Sequence, residues 1–252
     1  MGLINWVKNL GSNTLYYPGC LTKGVLKQEF ENYKKIFNKL GIDFILLSDE
    51  EVCCGLPVLN AGYKKDTRKL AEKNLKLFKE KNVTKIITSC PSCYHTFKNI
   101  YPELLTGKDK WYIEVEHATQ TILRALKRKD IRHEGDKEIV TYHDSCHLGR
   151  YSGIYNEPRQ VIELLGGMIK EMKHNKNESL CCGGGGGVRA NFPDVAKKIA
   201  KLRVNEMPKD AGKIISACGL CFANLSSAFS NEENKSEEFS SFVLRKLKEM
   251  NR

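Results

Sequence analysis

Cys181-Cys182-Gly183-Gly184-Gly185-Gly186-Gly187-Val188-Arg189 decides how the rest of this 252-residue chain is read. Two adjacent cysteines ahead of five glycines suit neither helix nor strand, because each glycine costs roughly 0.5–1 kcal/mol against alanine in a regular element. Such a segment needs its backbone close to something, and paired thiols beside it point to a metal centre. The plain alternative is a flexible surface loop with two incidental thiols. Repetition argues against it: Cys53-Cys54-Gly55 opens the same way 128 residues earlier.

The other cysteines repeat with it. Cys20, Cys53-Cys54 and Cys90-Pro91-Ser92-Cys93 correspond to Cys146, Cys181-Cys182 and Cys218-Gly219-Leu220-Cys221, at offsets of 126, 128 and 128 residues. All ten cysteines fall into this scheme. The intervening patterns repeat as well. In the first half, strands are expected at 14–17, 44–47 and 85–88, the second a continuous apolar run of the kind buried on both faces. Helices are expected from Val25 to Leu40, from Lys64 to Lys81, and briefly from Cys93 towards Tyr101. Residues 111–129 read as a further strand and helix. In the second half, strands are expected at 138–142, 168–172 and 213–216, with helices at 158–165 and 194–207.

Strands alternating with helices imply α/β units, here two tandem repeats, each a small, mainly parallel sheet with flanking helices. In each half three cysteine groups then follow the carboxyl ends of three strands, where open parallel sheets place ligands. Arg132, His133, Glu134 and Gly135 interrupt the apolar pattern, so the expected domains are 1–133 and 134–252.

Composition narrows the function classes. With 41% hydrophobic residues the chain can bury a core, and only the polar run Ser230 to Ser241 suggests disorder. No apolar stretch approaches the roughly 20 residues that cross a bilayer. Met1 to Leu10 lacks the pattern of a secretory signal, so a cytoplasmic protein is expected, reaching a membrane only through a partner. The net charge of +11 comes from lysines scattered over helix faces, which argues against nucleic acid as partner. Anionic substrates or an acidic partner would use it, and metal-bound thiolates would cancel part of it. Ten cysteines in such a chain read as metal ligands rather than disulfides.

A mononuclear zinc site takes four ligands. Here each half offers five, two of them adjacent. Neighbouring side chains diverge and fit poorly on one tetrahedral ion, but can reach two metals of one cluster. All-thiolate ligation suits iron–sulfur or zinc, and the adjacent pair, used twice, favours iron–sulfur. Gly183 to Gly187 would offer backbone N–H groups to such a centre. A dinucleotide fingerprint, Gly185-x-Gly187-x-x-Ala190, is a rival. It needs a strand running directly into the turn, and residues 175–182 intervene.

The spacing Cys20-x32-Cys53-Cys54-x35-Cys90-x2-Cys93, with its second copy, resembles the tandem cysteine-rich CCG domains of heterodisulfide reductase catalytic subunits (B/D type). The same domains occur in related glycerol-3-phosphate, glycolate and lactate oxidation proteins. Residues 142–150, Tyr-His-Asp-Ser-Cys-His-Leu-Gly-Arg, and the opening stretch resemble the second domain copy most closely. The resemblance covers roughly Leu15 to Phe229. It implies that Cys20, Cys53, Cys54, Cys90 and Cys93 bind one non-cubane [4Fe–4S] cluster, and Cys146, Cys181, Cys182, Cys218 and Cys221 a second. Zinc in one half is the alternative this set leaves open. The resemblance further implies an oxidoreductase subunit that reduces a disulfide or relays electrons. A dehydrogenase subunit that delivers electrons towards quinone is the first alternative, a structural zinc protein the second. No ferredoxin-like run of cysteines is present, so a separate ferredoxin-like iron–sulfur subunit or a flavoprotein is the expected electron partner. His143 and His147 flank Cys146 and could donate protons or support a ligand. Arg150 and Arg189 could bind an anionic substrate or offset cluster charge, and Arg189 is grouped with Gly183 to Gly187 as cofactor-binding. The second cluster, with more backbone donors and no counterpart of Pro57, is expected to be reduced more easily.

Overall fold

The computed structural model describes residues 11–229 and 234–250. Met1 to Leu10 and the start of the polar run at Ser230 lie outside them. Apolar runs with buried ends make the strands. In the first half β1 (Asn13–Tyr17), β2 (Val83–Thr88) and β3 (Glu114–His117) pair in parallel, in that spatial order. The second half contains β4 (Glu138–Tyr142), β5 (Gly167–Ile169), β6 (Lys213–Ser216) and β7 (Ser236–Glu238), arranged β5-β4-β6-β7 and again all parallel. β1, β2 and β3 therefore correspond to β4, β6 and β7, which is the repetition of α/β units that the sequence implies.

The expected strand at 44–47 is corrected. It shrinks to a single parallel bridge between Ile45 and Leu15, with Phe44, Ile45 and Leu46 only half-buried. Its apolar residues serve side-chain packing instead: the Phe44 ring meets Tyr16 and Phe37 at centroid distances of 5.8 and 5.6 Å. Its counterpart β5 is three residues long, shorter than the expected 168–172. The helix expected from Val25 splits into Cys20–Gly24 and Lys27–Leu40. The short helix after Cys90 starts at Pro91 and passes through a π turn at Thr96–Ile100 before Tyr101–Leu104. Pro102 explains that turn: it brings no N–H, and Tyr101 N–H instead reaches back to Thr96 O.

The polar run 230–241 is not wholly irregular. Residues 236–238 form β7, and Phe239–Glu249 is a helix whose Phe239, Phe242, Val243 and Leu247 are buried. That helix packs on Lys27–Leu40 of the first half, while Ala118–Arg128 packs on Asn156–Leu164 of the second. One hydrophobic core thus runs through both halves. Where they meet above the strand ends, Gly219 lets Leu26 approach so closely that a Cβ there would stand 2.6 Å from its Cδ1. Among the described residues no helix is long and apolar enough to cross a membrane.

Candidate metal centre

Strand ends deliver four of the six cysteine groups. Cys20 follows β1 after Pro18-Gly19, and Cys146 follows β4 after Ser145. Cys90 and Cys218 follow β2 and β6 as the N-cap residues of helices Pro91–His95 and Gly219–Ser226. The adjacent pairs instead arrive on loops: Cys53-Cys54 lies beyond the turn Ser48–Glu50, and Cys181-Cys182 beyond the turn Lys176–Glu178. Side-chain donors hold these loops in place. Asn74 Nδ2 donates to Cys53 O at 3.0 Å and Tyr101 Oη to Cys54 O at 3.0 Å. In the second half Asn224 Nδ2 donates to Cys182 O at 2.6 Å and to Ala196 O at 3.1 Å.

All ten thiols line one cavity between the halves, about 510 Å³ in volume and walled elsewhere by Leu21, Leu56, Leu220 and Gly184 to Gly187. Within the first half the thiols form a hydrogen-bonded chain, Cys20 to Cys53, Cys53 to Cys54, Cys54 to Cys93 and Cys93 to Cys90. Hydrogen bonds from Cys20 and then Cys54 pull Cys53 down to about 2. The bond to Cys53 pushes Cys54 up to about 12, and that from Cys93 brings Cys90 down to about 7. In the second half the chain is Cys181, Cys182, Cys221, Cys218. Cys182 is held well below the ordinary thiol range by Cys181 first, then Cys221, with His143 adding to them. Cys146 stands apart, raised mainly by burial, with His147 Nδ1 3.5 Å from its Sγ. Some thiols in each set are pushed up while a neighbour is held down, because crowded sulfurs cannot all ionise without a cation among them. Ten sulfurs converging in two sets on one cavity fit two thiolate-bound metal centres.

The glycine run divides by position. Gly183 N–H points to Cys181 Sγ at 3.3 Å and Gly184 N–H to Cys182 Sγ at 3.4 Å. The first half does the same with Gly55 N–H on Cys53 Sγ at 3.4 Å. At Gly183, with φ of +81°, a Cβ would stand 2.8 Å from Ala196 O. Gly185 has negative φ and open space around it. Gly183→Ala is therefore expected to cost about 3 kcal/mol, combining the left-handed backbone with overpacking. Gly185→Ala should leave the midpoint of chemical unfolding nearly unchanged, and equal effects would contradict this division.

Of the other residues singled out from the sequence, His147 lines the cavity and His143 is buried behind Cys182. A ring nitrogen of His143 and the Sγ atoms of Cys182 and Cys221 lie within 4.8 Å of one another. Arg150 turns away, donating to Ser179 O at 2.7 Å and so bracing the loop before Cys181. Arg189, on the short helix Val188–Asn191, stands outside the cavity wall. Sequence reasoning missed Arg203, fully buried, whose Nε donates to His143 Nδ1 at 3.0 Å. A signal existed: it shares the buried face of helix Pro193–Val204 with Ala196 and Ala200.

Comparison with known proteins matches residues 14–98 and 140–226 to the cysteine-rich domain family, CCG. One component of the dihydromethanophenazine:CoB–CoM heterodisulfide reductase of Methanosarcina acetivorans is 37% identical over 222 residues, covering 85% of this chain and 53% of that one. The EtfAB:quinone oxidoreductase of Syntrophomonas wolfei is 36% identical over 178 residues, 69% of this chain and 24% of that one. One component of the CoM/CoB fumarate reductase of Methanothermobacter marburgensis is 26% identical over 226 residues, 89% of this chain and 44% of that one. The chain spans about half the length of the heterodisulfide reductase components it matches.

Proposed function

This chain belongs to the cysteine-rich domain family, in two tandem copies, and from that premise we propose that it is an iron–sulfur redox subunit acting on a disulfide or thiol between its halves. The observation that carries this reading is the single cavity lined by all ten thiols. Cys20, Cys53, Cys54, Cys90 and Cys93 hold one [4Fe–4S] centre in this reading, and Cys146, Cys181, Cys182, Cys218 and Cys221 the other. Bound there, such clusters supply electrons one at a time. Cleaving R–S–S–R′ to RSH and R′SH takes two electrons and two protons, which matches two centres flanking one cavity. Leu21, Leu56 and Leu220 keep the cavity wall apolar, limiting competition from water. His147, with Nδ1 beside Cys146 Sγ, is the residue placed to hold a proton at the cavity. The electrons come from a separate carrier subunit, an iron–sulfur protein or a flavoprotein.

The likeness to an EtfAB:quinone oxidoreductase favours a second reading, in which the chain relays electrons within a dehydrogenase complex and no disulfide is cleaved here. Both readings need clusters. Anaerobically purified protein is expected to contain about eight irons per chain with matching acid-labile sulfide, four in each cysteine set. Stoichiometric zinc without sulfide would remove both readings at once. About four irons with one zinc would show that the halves have diverged. Adding a disulfide to the reduced protein then separates the two readings, since only the first expects reoxidation with thiol release.

A further inference from the structure

His143 and Arg203 form a buried pair behind the second cysteine set with no equivalent behind the first. The ring of His143 is fixed from three sides. Its backbone N–H donates to Ile215 O at 2.8 Å at the end of β4. Arg203 Nε donates to its Nδ1 at 3.0 Å. A ring nitrogen lies within 4.8 Å of the Cys182 and Cys221 Sγ atoms, and with Nδ1 taken by Arg203 it is Nε2 that is free to serve them. Arg203 is held in turn: its Nη1 donates to His174 O at 2.6 Å and Glu206 Oε2 at 2.5 Å, and its side chain is fully buried.

A guanidinium has donors only and stays protonated. The nitrogen it donates to must offer a lone pair, so Nδ1 is bare and the neutral ring carries its proton on Nε2. A nitrogen bearing a proton cannot ligate a metal, and giving that proton up would leave an imidazolate. We infer that His143 is a positioning residue, a tautomer-locked N–H donor to the Cys182 sulfur that makes the second centre the more easily reduced of the two. His143 is thereby assigned neither as a ligand nor as the proton donor that its place beside Cys146 suggests. This inference rests on the iron–sulfur reading above.

The first half supplies the contrast. Tyr17, at the offset of 126 that relates Cys20 to Cys146, turns its hydroxyl to Val52 O at 2.6 Å. Asn74 stands 129 residues before Arg203, the spacing that also relates Thr67 and Leu70, packed on Gly55, to Ala196 and Ile199, packed on Gly183. It donates to Cys53 O and to Tyr101 Oη, and not to a histidine. Backbone donors to the adjacent pairs are otherwise alike: Gly55 and Leu56 serve Cys53 and Cys54, as Gly183 and Gly184 serve Cys181 and Cys182. At the adjacent pairs the side-chain donor is what distinguishes the two sites, Ser92 in the first set serving Cys90 instead, and hydrogen bonds to cluster sulfurs raise the reduction potential.

Redox titration followed by electron paramagnetic resonance on wild type, His143→Leu and His143→Gln tests this. In the Leu variant the reduced-to-oxidised ratio of the second centre at a fixed potential should fall about tenfold, which is about 59 mV for one electron. The first centre serves as the internal reference and should not move. Glutamine keeps an N–H for Cys182 and a carbonyl for Arg203, so it should restore most of the ratio. An unchanged second centre in the Leu variant overturns the inference. So does loss of half the iron in both variants, which would make His143 a ligand. Should the Leu variant fail to fold, loss of half the iron or a tenfold fall in the Gln variant still overturns the inference, and the tautomer readout that follows decides the rest. A second readout needs no iron. In the chain loaded with zinc, long-range 1H–15N spectra should show His143 protonated at Nε2 and bare at Nδ1, and the opposite tautomer or a zinc-bound nitrogen would refute the inference. A wild type without any paramagnetic centre refutes the iron–sulfur reading instead, and the zinc spectra still decide the tautomer.

Discussion

Cys182→Ser is expected to remove the more easily reduced centre and about half the iron, whereas Cys54→Ser should remove the other half and spare that centre. The two residues occupy matching places. Each is buried, each is the second of an adjacent pair, and each is bonded to the inner cysteine of a Cys-x-x-Cys turn, Cys54 to Cys93 and Cys182 to Cys221. Serine retains the shape but gives a far poorer soft ligand. What differs is the surroundings. His143 adds a donor at Cys182, while Tyr17 beside the first set spends its hydroxyl on Val52 O. Added electron density is better stabilised at the second set, so its signal should appear first as the potential is lowered. Iron analysis and a redox titration on both variants check this. Should Cys54→Ser abolish the first-appearing signal and Cys182→Ser keep it, the assignment is reversed. Complete iron loss in either variant would show instead that the two sets assemble as one unit, as metal-coupled folding allows.

The cysteine scaffold was legible because spacing survives without any structure, and β1, β2, β4 and β6 because their apolar ends are buried as their runs suggest. Phe44 to Leu47 misled because apolar residues serve a packed loop as readily as a strand. β7 hid for the opposite reason. Ser236-Glu237-Glu238 looks like surface, yet Glu238 is buried, where its carboxylate accepts Tyr33 Oη at 3.0 Å and Ser240 N at 2.6 Å. The donor asymmetry argued from Pro57 was overdrawn, since Gly55 serves Cys53 much as Gly183 serves Cys181. The real asymmetry lies in Tyr17 against His143, and the spacing that exposes it is visible in the sequence. Its meaning needed Arg203, 60 residues away and brought beside His143 only by packing of helix Pro193–Val204. Nor does spacing say which of two histidines four apart faces the cavity.

The acid beside His143 carries the other large effect. Asp144→Ala is expected to destabilise the fold by about 3–5 kcal/mol, the range for stripping one partner from a buried ion pair. Arg159 binds Asp144 through both terminal nitrogens at 2.7 Å each, with only 8% and 2% of the two side chains exposed. The same guanidinium reaches Glu171 at 2.6 Å and lies 5.0 Å from the Tyr142 ring centroid. Without Asp144 its charge would rest on Glu171 alone. Asp144 Oδ2 also accepts Lys176 N–H at 2.7 Å, at the turn that leads to Cys181-Cys182. The substitution therefore loosens the loop that presents those thiols, and the second cysteine set should lose iron before the first. In a chain of this size the thermal midpoint should fall by roughly 6–20 °C. Glu72→Ala is the control: its ion pair with Arg68 is half exposed on both sides, and such pairs contribute about 0.2–1 kcal/mol. Equal midpoints for the two variants would mean that the Asp144–Arg159 pair contributes no more than a surface contact. A large drop with equal iron loss from both sets would keep the pair as a fold anchor but sever it from Cys181-Cys182. Only a large drop with the second set emptied first makes Asp144 what its bonds describe, the residue through which β4, helix Asn156–Leu164 and the cysteine loop hold one another.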